Sequence, residues 1–159
     1  MKIRKLGVDF HGVISKNPSL FKEIISEAFL RKIEVHIISG GPRKYIERYL
    51  SEHHILYHKL WCIIDEPEIN EKTRFFADGS FKVDDMLWDS AKAKYCANHN
   101  IDIHIDDSKI YGSYFTTSYC QYVDDLHVFT CGNNTISTNH SVAQIFTFLE
   151  QCATTKISS

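Results

Sequence analysis

Short apolar runs alternate with segments of helical period along most of the chain. In the helical segments, apolar residues fall three and four positions apart, as on one face of a helix. Helices are predicted at residues 20–29, 45–50, 90–98 and 141–152, with Asp89 or Ser90 as the N-cap of the third. Strands are predicted from the apolar runs at residues 3–10, 34–39, 56–64, 101–105 and 126–130.

The order of these elements indicates the fold class. Strands separated by helices are typical of βαβ units, whose strands pair in parallel. We therefore predict an α/β protein, a three-layer Rossmann-like sandwich around a mostly parallel central sheet of about five strands. Its 159 residues fit a single domain. We assign this domain to residues 1–152 and expect the polar tail, 153–159, to fray.

The segment 65–88 interrupts the alternation. Asp78-Gly79 stands between two runs that favour β-structure, 74–76 and 81–83. Asp-Gly between such runs is a strong hairpin signal. A small β-hairpin is therefore predicted to lie over or beside the ends of the strands.

Composition and charge narrow the functional classes. A net charge of −2 gives no global basic field, so nucleic acid is a less favoured partner. No apolar run approaches the roughly 18 residues of a membrane-spanning helix, so no membrane partner is expected. The cysteine count is odd and no Cys-x-x-Cys pair occurs among the five. This favours buried thiols in a reducing compartment, and we predict a cytoplasmic protein.

Acidic residues follow two of the predicted strands. Asp9 ends the first, and Asp106-Asp107 ends the fourth. In an open α/β sheet, ligands bind beyond the carboxyl ends of the strands, so these groups should converge there. A cluster of carboxylate oxygens is the kind of site that Mg²⁺ prefers.

The second strand ends in a hydroxyl followed by glycines. Ser39 precedes Gly40-Gly41, and a helix opens directly afterwards. Hydroxyl and free N–H groups at a helix N-terminus suit a phosphate. Arg43 and Lys44 in the first turn are unfavourable next to the positive end of the helix dipole, and a bound anion would compensate for this. For Arg43, both a substrate contact and a solvated surface charge remain open, and we favour the latter.

These residues carry a resemblance to a known family. The pattern strand-Asp9-Phe-His11-Gly12-Val, strand-Ser39-Gly-Gly, a helix-borne lysine and strand-Asp106-Asp107-Ser resembles the haloacid dehalogenase (HAD) superfamily, which consists chiefly of phosphatases. The four motifs come in the family order and span nearly the whole chain. The resemblance implies a Mg²⁺-dependent phosphatase that acts on a phosphorylated substrate.

The resemblance also implies a role for each matching residue. Asp9 would be the nucleophile that forms an aspartyl-phosphate. Ser39 and Gly40 would bind the transferring phosphoryl group. Lys92 would neutralise charge around Asp9 and the phosphate, with Lys94 as the alternative because the sequence leaves the helical register open.

The implied magnesium ligands come from the first and fourth motifs. Asp9 and Asp106 would ligate the ion, and Asp107 would be a second acidic ligand or an orienting group. At His11, the backbone carbonyl would touch the metal, a role that does not depend on the side chain. The ion would screen the repulsion between Asp9 and an anionic substrate.

His11 is where this sequence departs from the family pattern. The hydrolases usually have a second aspartate there, which protonates the leaving group and then activates water. Histidine can do such acid–base work, so we predict a pH profile that depends on His11. The alternative is a catalytically weak or non-hydrolytic protein that binds or transfers phosphate. A structural domain without phosphate chemistry is a third, less favoured, hypothesis.

The predicted lid is small. Residues 10–38 suffice only for one helix and the returning strand, which leaves the hairpin within 65–88 as the candidate lid. An open site would take a bulky phosphoester, or a small one if the protein forms oligomers over the site. The aromatic-rich stretch 111–122 either packs at the rim of the sheet, which we favour, or stacks on a base or sugar.

Overall fold

A computed structural model of the chain describes residues 2–155. Its strands are β1 Lys5–Val8, β2 Glu34–Ser39, β3 Lys59–Cys62, β4 Arg74–Phe75, β5 Phe81–Lys82, β6 Ile103–Asp106, β7 Ser118–Val123, β8 Val128–Cys131 and β9 Asn134–Ser137. Its helices are α1 Pro18–Leu30, α2 Arg43–Glu52, α3 Pro67–Glu71, α4 Asp85–Asn98, α5 Lys109–Gly112 and α6 Val142–Thr155. A short irregular turn, Phe10–Ile14, follows β1.

Within the described residues, seven of these strands form one central sheet in the order β3-β2-β1-β6-β7-β8-β9. The five strands from β3 to β7 pair in parallel, and β8 and β9 extend the sheet in antiparallel fashion. The predicted α/β class with a mostly parallel central sheet is therefore confirmed. The sheet is larger than the predicted five strands because β7 and β9 were not recognised.

Helices cover both faces of the sheet. Strand side chains alternate between faces, so Ile37 belongs to one core with α1 and α6, while Ile38 belongs to another with α4. The first core is dominated by aliphatic and phenylalanine side chains, and the second contains Tyr95 and Phe115. The three-layer arrangement follows from this two-sided burial.

The hairpin predicted around Asp78-Gly79 is present. Strands β4 and β5 pair in antiparallel register, with Phe75 opposite Phe81. Gly79 has a φ of +88°, the left-handed conformation that a tight turn of this type requires. The hairpin forms a separate two-stranded sheet immediately before α4.

Helix α4 begins earlier than the sequence predicted. Asp84 is its N-cap and accepts a hydrogen bond from the Leu87 amide at 3.1 Å, so neither Asp89 nor Ser90 is the cap. Leu87 and Trp88 pack with the buried Ile63, which extends the apolar face of the helix by a turn. Lys92 lies within this helix, on its buried side.

The last helix extends further than the sequence predicted, and the cysteines are buried as predicted. Helix α6 continues to Thr155 and buries Ala153, where the sequence predicted the start of a frayed tail; 156–159 lie outside the described residues. All five cysteines fall within the described part of the chain, and each is free and buried, as predicted. In that same part, no helix is long and apolar enough to cross a membrane.

Candidate functional site

The order of the central strands brings the sequence-predicted residues to one edge. Strand β1 lies between β2 and β6, with Val8 paired to Ile37 on one side and to Ile105 on the other. The chain therefore leaves β1 in one direction and later returns on its other side, which creates the topological switch point where α/β sheets bind ligands. Asp9 follows β1 at this point, and its amide donates to the Ile105 carbonyl at 2.9 Å.

Lys92 joins the first and fourth motifs. Its ammonium donates to Asp9 Oδ1 at 2.8 Å and to Asp106 Oδ2 at 2.7 Å. Lys92 and Asp9 are each 3% exposed, and Asp106 is fully buried. Lys94 is exposed on the same helix. Between the two lysines left open by the sequence, the structure brings Lys92 to the carboxylates.

The Asp9 carboxylate is held by one of its oxygens. Oδ1 accepts the Lys92 ammonium and also the Phe10 amide at 2.8 Å. Its other oxygen, Oδ2, lies outside both contacts. A carboxylate fixed in this way keeps a defined orientation with one oxygen available for a ligand.

The protonation equilibria of the cluster reflect its burial. Burial raises the pKa of Asp9 well above its ordinary value, although Lys92 lowers it, and repulsion from Asp106 and Asp107 adds to the rise. Burial acts in the same direction on Asp106, but Lys92 and a hydrogen bond with His104 outweigh it and hold that pKa below its ordinary range. Burial would lower the pKa of Lys92, but the two carboxylates raise it. Three carboxyl groups therefore lie near a single ammonium group, which contacts two of them. A bound cation would stabilise their ionised forms.

The donor set fits the predicted magnesium ion. One carboxylate oxygen from each of Asp9, Asp106 and Asp107 lies within 4.8 Å of the others. Hard oxygen ligands of this kind suit Mg²⁺, which binds through a few carboxylates together with water and phosphate. These are three of the four predicted metal residues; the fourth, His11, was expected to contribute its backbone carbonyl.

Gly12 makes room for Asp107. A Cβ atom on Gly12 would fall 2.1 Å from Asp107 Oδ2, and Gly12 has a φ of +81°. Both features require a glycine at this position. The glycine of the first motif therefore sets how closely the carboxylate of the fourth motif approaches.

His104 supports Asp106 from within the sheet. His104 Nε2 lies 2.9 Å from Asp106 Oδ2, and both side chains are fully buried. Burial lowers the pKa of His104, so the neutral ring donates from Nε2 to the carboxylate. The sequence analysis did not single out His104, although its i,i+2 spacing from Asp106 places both on the same face of a strand.

Ser39 ends β2, is fully buried and is not among the residues that line the cleft. Its hydroxyl is buried and has no hydrogen-bond partner among the described residues. A buried hydroxyl without a partner loses about 1–3 kcal/mol of hydrogen-bonding free energy, and a phosphoryl oxygen would supply an acceptor. The following Gly40 and Gly41 line the cleft directly.

His11 lines the cleft together with Asp9. Its Nε2 is 2.9 Å from the Gly41 carbonyl oxygen. A carbonyl can only accept, so Nε2 carries the proton and Nδ1 is the nitrogen that remains for proton exchange. The ring is exposed and borders the same cleft as Asp9.

Arg43 has a structural partner instead of a position in the cleft. Its Nε donates to Asp65 Oδ2 at 2.9 Å and another guanidinium nitrogen donates to the Leu60 carbonyl at 2.8 Å. The side chain thus ties α2 to the end of β3. Of the two alternatives left open for Arg43, the structure favours a surface charge over a substrate contact, because the side chain does not line the cleft.

Aromatic side chains line the rest of the cleft. Its volume is about 390 Å³, and Phe81, Trp88 and Tyr111 contribute three rings to its lining, together with Ile63 and Ser108. Tyr111 belongs to the stretch 111–122, which the sequence offered for rim packing or for stacking on a base or sugar, whereas Trp88 and Ile63 were not singled out. Phe81 comes from the predicted hairpin, so the hairpin does border the strand ends. The Asp-Gly turn signal located this hairpin, but no local signal showed which of its aromatic residues faces the cleft.

Comparison with known proteins adds no family. No protein-family model matches the sequence, and no curated protein matches it significantly. The grounds for a function are therefore the residues and the geometry of the cleft.

Proposed function

We propose that the protein is a Mg²⁺-dependent phosphomonoester hydrolase of the HAD type that works through an aspartyl-phosphate on Asp9. The observation that carries this proposal is the Lys92 ammonium, held between Asp9 and Asp106 at the switch point of a parallel sheet. Asp107 completes a three-carboxylate cluster beside it. These groups match in type and order the motifs that the sequence shares with the superfamily.

The carboxylates of Asp106 and Asp107 would hold the magnesium ion together with Oδ1 of Asp9, so that Oδ2 of Asp9 stays free for phosphorus. When bound, it would neutralise charge on the phosphoryl group and on the carboxylates around it. Lys92 adds a fixed positive charge from the protein itself. Ser39 and Gly40, at the end of β2, provide hydrogen-bond donors on the other side of Asp9.

The first half of the reaction transfers the phosphoryl group to the protein. Asp9 Oδ2, the oxygen outside the contacts with Lys92 and Phe10, attacks phosphorus. The ester P–O bond breaks, and the leaving oxygen takes a proton from Nδ1 of protonated His11. The products are the free alcohol and an aspartyl-phosphate.

The second half returns the carboxylate. Neutral His11 accepts a proton at Nδ1 from a water molecule that attacks phosphorus. The P–O bond to Asp9 breaks, which releases inorganic phosphate and restores both side chains to their starting forms. The hydrogen bond from Nε2 to the Gly41 carbonyl keeps the ring in one orientation through both steps.

A second candidate is a protein that binds or transfers phosphate but hydrolyses it slowly. The observation that favours it is His11, an exposed imidazole hydrogen-bonded to the Gly41 carbonyl, where the hydrolases that the sequence resembles carry a carboxylate. His11→Asp distinguishes the two candidates. A large gain in turnover would support the second candidate, and a loss would show that the histidine is the working acid and base.

The decisive experiment measures phosphate release from a broad panel of phosphomonoesters, with Mg²⁺ and with excess chelator. Wild type is compared with Asp9→Asn, and Asp85→Asn on the exposed start of α4 is the matched control. The proposal requires turnover that needs both Mg²⁺ and Asp9 and that survives in the control. Mg²⁺ and phosphate binding without turnover would leave the second candidate, and neither would leave a structural domain.

Location and assembly belong to the same proposal. The five free, buried thiols support a reducing compartment, in accordance with the cytoplasmic location predicted from the sequence. A cleft bordered by a two-stranded hairpin is open enough for a bulky phosphoester. Oligomerisation over the cleft remains the alternative for a small one.

A further inference from the structure

The cleft has two chemically different parts. Its floor carries the carboxylates of Asp9 and Asp107 and the Lys92 ammonium, and its wall carries the aromatic rings of Phe81, Trp88 and Tyr111. Its volume, about 390 Å³, lies in the range of about 300–1,000 Å³ that is common for small-molecule sites. Resting on the proposed function, we infer that the phosphomonoester carries a planar aromatic ring that stacks against Phe81 and Trp88.

Trp88 is fixed to the phosphate end of the cleft. Its indole lies against Gly40, where a Cβ atom would fall 2.7 Å from Trp88 Cζ2. The indole N–H donates to the Tyr111 hydroxyl at 3.0 Å, and the Tyr111 ring centroid is 5.0 Å from Lys92 Nζ. The aromatic wall therefore has a defined position relative to the groups that would hold the phosphate.

Phe81 extends this wall outward. Its ring centroid is 5.3 Å from that of Trp88, with 45° between the ring planes. Phe81 remains 40% exposed on a two-stranded hairpin. A third ring stacked on the free face of one of them would lie tilted by the same 45° to the other, so it could contact both rings from the cleft.

The wall offers few groups to a polyhydroxylated ligand. Above the floor, the polar side chains that line the described cleft are those of His11, Ser108 and Tyr111. Each already takes part in one hydrogen bond within the protein: His11 Nε2 donates to the Gly41 carbonyl, Ser108 accepts from the Tyr111 amide and Tyr111 accepts from the Trp88 indole. The polar groups that remain on this wall are His11 Nδ1 and the two hydroxyl protons. Aromatic stacking needs no such partners, so a ring fits this wall better than a bare sugar.

The test is a pairwise comparison of binding by isothermal titration calorimetry. Asp9→Asn with saturating Mg²⁺ is titrated with AMP and with ribose 5-phosphate, which differ only in the base. Phenyl phosphate and ethyl phosphate form a second pair, in which the ring lies next to the phosphate. We expect the aromatic member of at least one pair to bind about tenfold more tightly, and the pair that shows the gain identifies where the ring lies.

Variants of the hairpin show which ring is responsible. Phe81→Ala should remove most of the tenfold advantage and leave the affinity for the non-aromatic member unchanged. Phe81→Leu, which keeps apolar area without an aromatic face, should recover little of it. Phe75→Ala is the matched control, because Phe75 is the cross-strand partner of Phe81 but is absent from the cleft lining.

The outcomes separate this inference from the function on which it rests. Equal binding within both pairs, or an advantage that survives Phe81→Ala, overturns the inference even if wild type releases phosphate. Tighter binding of the aromatic member that Phe81→Ala abolishes supports it, even if wild type proves to be a non-hydrolytic phosphate binder. No binding of any of the four compounds overturns both.

Discussion

The Lys92 ammonium lies 2.8 Å from Asp9 and 2.7 Å from Asp106, while Lys94 points away from the sheet. Two residues along a helix correspond to a rotation of roughly 200°, so the two lysines lie on opposite faces. Both residues are lysines in the same predicted helix, so the sequence does not distinguish them. Only the packing of α4 against the sheet selects one of them.

Lys92→Met should therefore be far more harmful than Lys94→Met. Loss of the ammonium leaves two buried carboxylates without their counter-charge, which costs about 3–5 kcal/mol of stability and abolishes phosphate release. Lys94→Met should stay within about 0.5 kcal/mol of wild type. Urea unfolding of both variants, monitored by circular dichroism, measures the difference. Similar destabilisation of the two would contradict the charge bridge.

Ser39→Ala should separate binding from stability. The Ser39 hydroxyl is buried and has no partner among the described residues, so its removal should not lower the free energy of unfolding and should raise it by about 1 kcal/mol. The Kd for inorganic phosphate in the presence of Mg²⁺ should rise about fivefold, as expected for one lost hydrogen bond.

The control for this prediction is another buried serine. Ser118 donates weakly, at 3.4 Å, to the carbonyls of Cys152 and Ala153, and it pairs with Ile103, at the end of the β6–β7 pair away from Asp106. Ser118→Ala should lower stability slightly and leave phosphate affinity unchanged. If Ser39→Ala behaves in the same way, Ser39 has a structural role alone.

At the scale of elements, the strands of the first half were the most accurately predicted. Strand β2 begins and ends where the sequence placed it, because Val35, Ile37 and Ile38 mark it and Gly40-Gly41 closes it. Strand β7 was missed because its buried positions, Ser118, Cys120 and Tyr122, do not form an apolar run. Strand β9 is mostly exposed and depends on its pairing with β8.

Asp84 offers a test of the helix that carries Lys92. Asp84→Ala should cost about 1 kcal/mol, because the Leu87 amide loses its acceptor at the N-terminus of α4. Asp84→Ser keeps an acceptor and should recover most of this stability. Thermal unfolding of the two variants gives the comparison, and equal melting temperatures would show that α4 does not depend on this cap.

At the scale of the whole molecule, two aspartates of the site change the stability of the fold in opposite directions. The raised pKa of Asp9 means that its ionised form is less favourable in the folded chain than in the unfolded chain. The stability that the protonated form contributes is complete below the unfolded pKa and is lost as pH rises through the folded pKa. The lowered pKa of Asp106 has the opposite effect: its contribution is present above the unfolded pKa and is lost as pH falls through the folded value.

Substitution of the two aspartates should therefore have effects of opposite sign. In chelator at neutral pH, Asp9→Asn should raise the free energy of unfolding by about 1 kcal/mol and Asp106→Asn should lower it by at least as much. The difference for Asp9→Asn should shrink as the pH is lowered towards 4, whereas that for Asp106→Asn should persist, because its contribution is lost only below the unfolded pKa. Chemical unfolding between pH 4 and pH 8 measures them, and a shared sign at neutral pH would refute the assigned directions.

Bound Mg²⁺ should offset part of the destabilisation that ionised Asp9 causes. A ligand that binds only the folded state stabilises it, by about 2.7 kcal/mol at a hundredfold excess over Kd. Wild type should therefore gain more stability from Mg²⁺ than Asp9→Asn does. An equal gain in thermal unfolding experiments would place the ion away from Asp9.

The sequence by itself determined the fold class, the strand that ends at Asp9, the hairpin at Asp78-Gly79 and the acidic positions at the sheet edge. These features depend on local periodicity, turn chemistry and the rule that parallel strands end together. Tertiary structure alone decided that Lys92 meets the carboxylates, that His104 supports Asp106 and that aromatic rings line the cleft. Such contacts join residues far apart in the chain, and their geometry follows from how helices and strands pack, which no local pattern records.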